Sequence, residues 1–134
     1  MASLTEALDH QPETGAFWDA LAQGRFLLRH CRTCERAHWY PRAVCPHCAG
    51  TDTEWREASG KGRIYSYSIS RTVQPQYAIA YVTLAEGPTM MTNIVDGDLE
   101  RIAIDAAVEL APGHSVEGTA LPVFRLMCLE RDED

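Results

Sequence analysis

Cys31-Arg-Thr-Cys34 and Cys45-Pro-His-Cys48, two Cys-x-x-Cys pairs with ten residues between them, decide the fold of this chain. Each pair can form a tight turn that directs both sulfurs toward one ion, and two such turns provide a four-thiolate site of the zinc-ribbon type. Zinc suits four thiolates because it is redox-inert and accepts a tetrahedron of soft ligands. We therefore predict that these four cysteines bind one structural zinc ion.

Three other uses of the cysteines are alternatives to zinc binding. Two disulfides are disfavoured because no signal peptide precedes them, and a redox Cys-x-x-Cys would need a βαβ unit that the sequence does not show. Iron bound by the same four cysteines is an alternative that the sequence does not exclude. His30, His38 and His47 lie nearby, but four cysteines already close the coordination shell, so we expect no catalysis by the metal.

The composition indicates a compact globular protein with an uneven charge distribution. The chain has 134 residues, 46% of them apolar, and a net charge of -7. No apolar run is long enough to span a membrane, and we expect a cytoplasmic protein. Residues 25–71 carry 9 of the 12 basic residues and 4 of the 19 acidic ones, so this segment is +5 and the remainder is -12. A basic segment on an acidic protein suggests a local anionic ligand rather than a coat of nucleic acid.

Two helices are predicted before the cysteines. A capping box at Ser3–Glu6 starts the first, and the second runs from Thr14 to Gln23, with Gly24 in the left-handed position that ends it. The apolar face of the second helix consists of Phe17, Trp18 and Leu21. This face either packs on the ribbon or barrel of the same chain or docks on a partner subunit.

The remaining sequence predicts strands. Residues 25–30, 38–40 and 54–56 form a three-stranded ribbon, and residues 63–70, 77–84, 89–95, 107–110 and 121–129 form a small five-stranded Greek-key barrel. In the first barrel strand, alternation places Ile64, Ser66, Ser68 and Ser70 on one face and Tyr65, Tyr67 and Ile69 on the other. We expect Cys128 to be a small buried hydrophobe. The predicted segments are 1–24 (helical), 25–58 (ribbon), 59–129 (barrel) and 130–134 (acidic tail).

This order of elements resembles one family, the acyl-CoA-associated proteins that join a rubredoxin-like zinc ribbon to an OB-fold (domain-of-unknown-function family 35). The resemblance covers about residues 14–127. Its carriers are Phe17-Trp18-Asp-Ala-Leu21-x-x-Gly24, Leu28-x-x-Cys31-x-x-Cys34, Tyr40-Pro41-Arg42-x-x-Cys45-Pro46-x-Cys48 and Ser59-Gly60-x-Gly62-x-Ile64-Tyr65-Ser66. Glu35 and Asp105 depart from it, because each stands where the family often has glycine.

The resemblance implies a non-catalytic accessory subunit. Such proteins are found with thiolase-like enzymes and hot-dog-fold hydratases in lipid, steroid or polyketide acyl-CoA metabolism, and they bind the CoA portion of the substrate. Phosphates require Arg, Lys and backbone N–H groups, and adenine stacks on aromatic or guanidinium planes. The candidate CoA-binding residues are Arg42, Lys61, Arg63, Arg71, Tyr65 and Tyr67, and the candidate partner-binding residues are Phe17, Trp18 and Leu21.

Two other functions are alternatives to an accessory subunit. An independent enzyme would need a nucleophile with a base, a phosphate loop or an open metal position, and the sequence offers none of these patterns. A single-stranded nucleic-acid binder is the main alternative, since zinc ribbons and OB-folds both serve that role. The net charge of -7 argues against it.

Overall fold

The computed structural model describes residues 14–72, 74–95, 99–111, 113–114 and 120–127. The predicted first helix with its Ser3–Glu6 capping box, Cys128 and the acidic tail lie outside the described residues. The predicted second helix is α1, Gly15–Ala22, one residue shorter at each end than expected. Gly24 follows it with φ +82, the left-handed conformation that the sequence indicates.

Three antiparallel strands form the ribbon, as predicted. They are β1 (Leu27–Cys31), β2 (Arg36–His38) and β3 (Thr53–Glu57). The second covers Arg36–His38 rather than the predicted residues 38–40, because it pairs with β1 directly after the first metal-binding turn. β1 lies in the middle and pairs with both neighbours. The central strand therefore ends at Cys31, the first predicted metal ligand.

A closed five-stranded barrel follows the ribbon and confirms the predicted fold class. The remaining strands are β4 (Lys61–Ser70), β5 (Tyr77–Leu84), β6 (Thr89–Ile94), β7 (Ala107–Leu110), β8 (Gly113–His114), β9 (Ala120–Leu121) and β10 (Phe124–Leu126). The order around the barrel is β10-β6-β5-β4-β7. β10 closes it by pairing parallel to β6 and antiparallel to β7, and a 3-10 turn at Leu99–Arg101 connects β6 to β7.

The predicted last strand, residues 121–129, is wrong as a single element. Ala120–Leu121 pairs with Gly113–His114 in a separate two-stranded hairpin, and only Phe124–Leu126 joins the barrel. Pro122 stands between the two pieces and has no backbone N–H to give to a ladder. Its carbonyl instead accepts a 2.7 Å hydrogen bond from the hydroxyl of Thr92, so the chain changes sheets at this point.

The predicted faces of β4 are also wrong, because a β-bulge interrupts the alternation at Tyr65. Ile64 lies opposite Val82, but Ser66 lies opposite Tyr81, one residue out of phase. A bulge adds one residue to one strand and so exchanges the two faces beyond it. As a result Ile69 packs against the same core as Ile64, which is 1% exposed.

One hydrophobic core joins the helix, the ribbon and the barrel. Phe17 packs edge-on against Phe26 at the start of the ribbon, and Phe26 packs edge-on against Phe124 of the barrel. Phe17 and Leu21 are 0% and 1% exposed. This corrects the prediction that Phe17 and Leu21 bind a partner, because both side chains are already covered by their own chain. Trp18 is half-buried against the core, and its role in an interface stays a prediction.

Candidate metal centre and ligand groove

The four cysteine sulfurs meet at one point, with every pair of ligand atoms within 4.8 Å. The sulfurs of Cys31 and Cys48 are 3.6 Å apart, and those of Cys34 and Cys45 are 3.7 Å apart. Zinc–sulfur bonds of about 2.3 Å in a regular tetrahedron place the sulfurs about 3.8 Å apart. A disulfide would need about 2.05 Å. The donor set and its spacing therefore fit a tetrahedral thiolate metal centre.

Two equivalent turns position the sulfurs. The N–H of Glu35 donates to the carbonyl of Cys31, and the N–H of Ala49 donates to that of Cys45, each over 2.8 Å. Glu35 and Ala49 have φ of 60 and 64, which explains why glycine is common at such positions. Glu35 thus adopts the left-handed conformation at an energetic cost, and its turn still directs the sulfurs of Cys31 and Cys34 toward the other two.

Backbone N–H groups point at the sulfurs. The N–H of His47 donates to the sulfur of Cys45 over 3.3 Å, and that of Gly50 donates to the sulfur of Cys48 over 3.4 Å. Such bonds favour the thiolate form, which is the metal ligand. A side chain at Gly50 would meet the Cys48 sulfur at 3.2 Å, so the second turn has little room beside the ligands.

The thiols of the first pair differ in acidity. The backbone N–H of Cys34 lowers the pKa of Cys31 to about 7, whereas burial raises the pKa of Cys34 to about 12. Cys31 therefore offers a thiolate near neutral pH, and a metal ion must displace the proton from Cys34. Metal uptake by such a site strengthens as the pH rises.

The nearby histidines are not part of this cluster. His38 is 2% exposed, and its Nε2 lies 3.3 Å from the carbonyl of Arg42. Within the described residues, the cysteines are the one group of His, Cys, Asp or Glu side chains with metal-binding spacing. The centre is consequently closed, and its chemistry is structural.

A groove of about 460 Å³ lies on the outer surface of the barrel where β4 meets β5 and β7. Three of the predicted CoA-binding residues, Lys61, Arg63 and Tyr65, line it together. Lys61, Arg63 and Tyr65 project outward from β4, and Gly62 and Ile64 between them face the interior. This alternation is regular because the bulge begins only at Tyr65. The guanidinium of Arg63 donates to the carbonyl of Asp105 over 3.0 Å.

Asp105 is a groove residue that the sequence did not indicate as part of a site. Its exposed side chain lines the groove, and its φ is 71. Its N–H donates to the carbonyl of Ile64 over 2.7 Å, which extends the pairing of β4 beyond β7. The departure from glycine at this position was the available signal, since glycine is favoured where φ is positive.

The other three CoA candidates lie elsewhere. Arg42 is exposed in the ribbon, between Pro41 and the second turn of the metal site. The guanidinium of Arg71 donates to the carboxylate of Glu100 over 2.6 Å, and this bond raises the pKa of Arg71. Tyr67, 41% exposed, lies opposite Ala80 on the inward-facing side of β4. The six candidates therefore do not form one site.

No helix among the described residues is long and apolar enough to cross a membrane.

Two family models match consecutive parts of the chain. The ChsH2 rubredoxin-like zinc ribbon domain matches residues 18–54, and the ChsH2 C-terminal OB-fold domain matches residues 55–111. The matches meet within β3, and together they include all four cysteines and most of the barrel.

Curated relatives point to the same family. A DUF35 domain-containing scaffold protein of Methanothermobacter thermautotrophicus is 36% identical over 107 residues, which are 73% of this chain and 80% of that protein. A probable enoyl-CoA hydratase alpha subunit of Thermomonospora curvata is 34% identical over 116 residues, 82% of this chain. The chain spans only 36% of the length of that hydratase subunit.

Solved structures agree with the fold. A chain of the Ltp2-ChsH2(DUF35) aldolase superposes with a TM-score of 0.72 at 30% identity, covering 85% of this chain and 94% of that one. A DUF35 protein of unknown function from Sulfolobus solfataricus superposes with a TM-score of 0.66 at 15% identity, over 94% of this chain and all of that one, and shows the fold alone. This chain belongs to the DUF35 family, whose members join a rubredoxin-like zinc ribbon to an OB-fold barrel.

Proposed function

We propose that this chain is a non-catalytic accessory subunit that binds CoA or acyl-CoA and docks on a thiolase-like or hot-dog-fold enzyme of acyl-CoA metabolism. The observation that carries the proposal is its similarity, over nearly the whole length, to a DUF35 chain of an aldolase complex. The similarity to a part of a hydratase subunit supports the same role. The first name joins DUF35 to an aldolase, and the second is that of an enzyme subunit.

The metal centre serves the fold in this proposal. Zinc is the ion expected for four thiolates, and iron is the alternative. The ribbon has few apolar residues of its own, so metal binding contributes much of its folding free energy. A fixed ribbon in turn holds Phe26 against Phe17 and Phe124, so the centre stabilises the junction with the barrel.

The groove beside β4 suits the nucleotide end of CoA. Lys61 and Arg63 provide cationic donors for phosphates, and Tyr65, which is 69% exposed, provides an aromatic surface for adenine. The volume of about 460 Å³ is in the range of small-molecule sites. The thioester arm would then leave the groove toward the partner enzyme.

The described buried polar side chains support a role without chemistry of its own. Thr92 donates its hydroxyl to Pro122, and Thr14 accepts a hydrogen bond from the indole of Trp18 over 3.2 Å. His38 lies against the ribbon backbone. Thr92 joins β6 to the segment before β10, whereas the contacts of Thr14 and His38 are local. Each of these groups has a structural partner in its own chain, and we assign bond-making to the partner enzyme.

Calorimetry with the zinc-loaded chain tests ligand binding. CoA should bind, and pantetheine, which lacks the nucleotide, should not. The double variant Lys61→Ala/Arg63→Ala should weaken CoA binding about tenfold or more, because each lost charge-assisted hydrogen bond is worth about 1.5–3 kcal/mol. Arg42→Ala removes one positive charge outside the groove and is the control for loss of charge alone.

Two results would contradict the proposal. Equal binding of CoA and pantetheine would show that the nucleotide is not recognised. Tighter binding of a single-stranded oligonucleotide than of CoA, with a steep loss of affinity as salt rises, would support the nucleic-acid alternative. Co-purification from the native host, with identification of the recovered subunit, tests the partner.

A further inference from the structure

The outer surface of the barrel carries an exposed row of large side chains on β5. Tyr77, Ile79 and Tyr81 alternate outward from this strand and are 46%, 38% and 48% exposed. Met91, which lies opposite Tyr81 on β6, is 60% exposed. We refer to these four residues as the tyrosine face. The inward positions between them are buried in the core, so the exposed residues are not needed to close the barrel.

Charged side chains are absent from the outward positions directly around the tyrosine face, and the nearest charges on β4 are Lys61 and Arg63 at its groove end. Ser70, Ser68 and Ser66 of β4 lie opposite Tyr77, Ile79 and Tyr81. Thr89 and Asn93 complete the neighbouring outward positions on β6. Because 23% of the chain is charged, ten outward positions without a charge are a marked local depletion. The ten are Ser66, Ser68, Ser70, Tyr77, Ile79, Tyr81, Thr83, Thr89, Met91 and Asn93.

Depletion of charge with enrichment in tyrosine and methionine is the composition of the centre of a protein–protein interface. The ten outward positions, with the tyrosine face at their centre, form a patch of roughly 20 Å by 14 Å, or about 300 Å². A stable interface buries about 800 Å² on each partner, with a dry centre and a polar rim. The tyrosine face therefore has the size of an interface centre.

We infer that the tyrosine face is the surface on which the acyl-CoA enzyme subunit docks, an inference that rests on the proposed function. A second copy of this chain is a poorer occupant, because two chains of net charge -7 repel each other and the face brings no compensating charge. A nucleic acid is also a poorer occupant, because a single-strand platform needs basic residues among its aromatics. A neutral, apolar surface on a larger enzyme has neither problem.

The face is continuous with the CoA groove. Thr83 follows Tyr81 outward on β5, and it lies opposite Arg63, a residue of the groove. Two residues along a strand span about 7 Å. An enzyme seated on Tyr81 and Met91 would thus border the groove, and a thioester arm leaving Lys61 and Arg63 would reach it without crossing open solvent.

The test uses the enzyme subunit that co-purifies with the wild-type chain, identified and then produced separately. Tyr81→Glu and Met91→Glu should each weaken its binding about 30-fold or more, the effect of losing a central interface residue. Ile104→Glu adds the same charge at an exposed apolar residue outside the face, 61% exposed, and should change binding little. Circular dichroism confirms that each variant is folded.

A measurement on the wild-type chain avoids any folding defect in the variants. Peroxide oxidation of Met91, followed by peptide mass spectrometry, should be about tenfold slower or more when the enzyme subunit is bound. Unchanged binding by both variants together with unchanged oxidation would overturn the docking surface and leave the proposed function standing. Recovery of no acyl-CoA enzyme would overturn both.

Two further results would assign the face to another occupant and overturn the inference. One is a wild-type dimer in sedimentation experiments that Tyr81→Glu dissociates. The other is oligonucleotide binding that is lost in Tyr81→Glu but kept in Ile104→Glu. A monomeric wild-type chain, with the enzyme binding pattern described above, supports the inference.

Discussion

The variant Phe17→Ala tests whether helix α1 belongs to the hydrophobic core of this chain or docks on a partner subunit. Phe17 is 0% exposed and lies at the meeting point of three aromatic side chains. Its ring centroid is 5.0 Å from that of Trp18, 5.2 Å from Trp39 and 5.8 Å from Phe26, all edge-on. Truncation to alanine removes these contacts and leaves a cavity where helix, ribbon and barrel meet.

The expected loss is large for a protein of this size. Replacing a buried phenylalanine with alanine costs about 3–5 kcal/mol of unfolding free energy, including the cavity. Edge-on aromatic pairs contribute about 0.5–1.5 kcal/mol each to such losses. Since small domains are stable by only about 5–15 kcal/mol, the variant should retain a fold with a Tm lower by roughly 10–15 °C.

Urea titration and thermal melting of the zinc-saturated free chain measure the effect. Ile104→Ala, at a position that is 61% exposed, is the control and should change the unfolding free energy by less than about 0.5 kcal/mol. A loss below about 1 kcal/mol for Phe17→Ala, combined with weaker binding of the enzyme subunit, would refute this reasoning and assign the helix to an interface.

Three other predictions concern the metal, a strand glycine and a buried histidine. Elemental analysis should find about one zinc or iron per chain, and Cys45→Ser should lose both the metal and the folded ribbon; a folded, metal-free ribbon would contradict this. Gly62→Ala should lower the unfolding free energy by about 1–3 kcal/mol, because its Cβ would meet the Thr83 carbonyl oxygen and the Val82 side chain at 2.7 Å each. An unchanged urea midpoint would contradict this, since it would mean that β4 and β5 can move apart without loss of stability. Burial lowers the pKa of His38, so the unfolded chain takes up the proton first and stability falls as the pH drops below about 6.5. His38→Gln at constant zinc should reduce that pH dependence, and an equal slope in both proteins would count against it.

Features that depend on local chemistry were predictable from the sequence. The cysteine spacing determines the metal-binding turns, and the β5 and β7 patterns locate Tyr77–Leu84 and Ala107–Leu110 at their observed bounds. Apolar alternation on a strand between two neighbours is sufficient for such predictions. The position of Gly24 at the end of α1 followed from the same kind of local rule.

Features that depend on distant pairing were not predictable. The bulge at Tyr65 lies just beyond the residues of β4 that pair with β7, where β4 continues to pair with β5, and a period-two pattern contains no signal of it. Likewise, the burial of Phe17 depends on contacts with Phe26 and Trp39, which lie more distant in sequence, in the ribbon segment. The tyrosine face depends on the register between β4, β5 and β6, which the sequence alone does not specify.

The most direct test of the accessory role is acyl-CoA turnover by the co-purifying enzyme subunit, measured with and without this chain. The chain alone should turn over no acyl-CoA, and its addition should raise the turnover of the enzyme subunit. Lys61→Ala/Arg63→Ala and Tyr81→Glu should each reduce that gain, and Ile104→Glu should preserve it. Turnover by the chain alone, or an enzyme subunit whose rate is the same with and without it, would contradict the account.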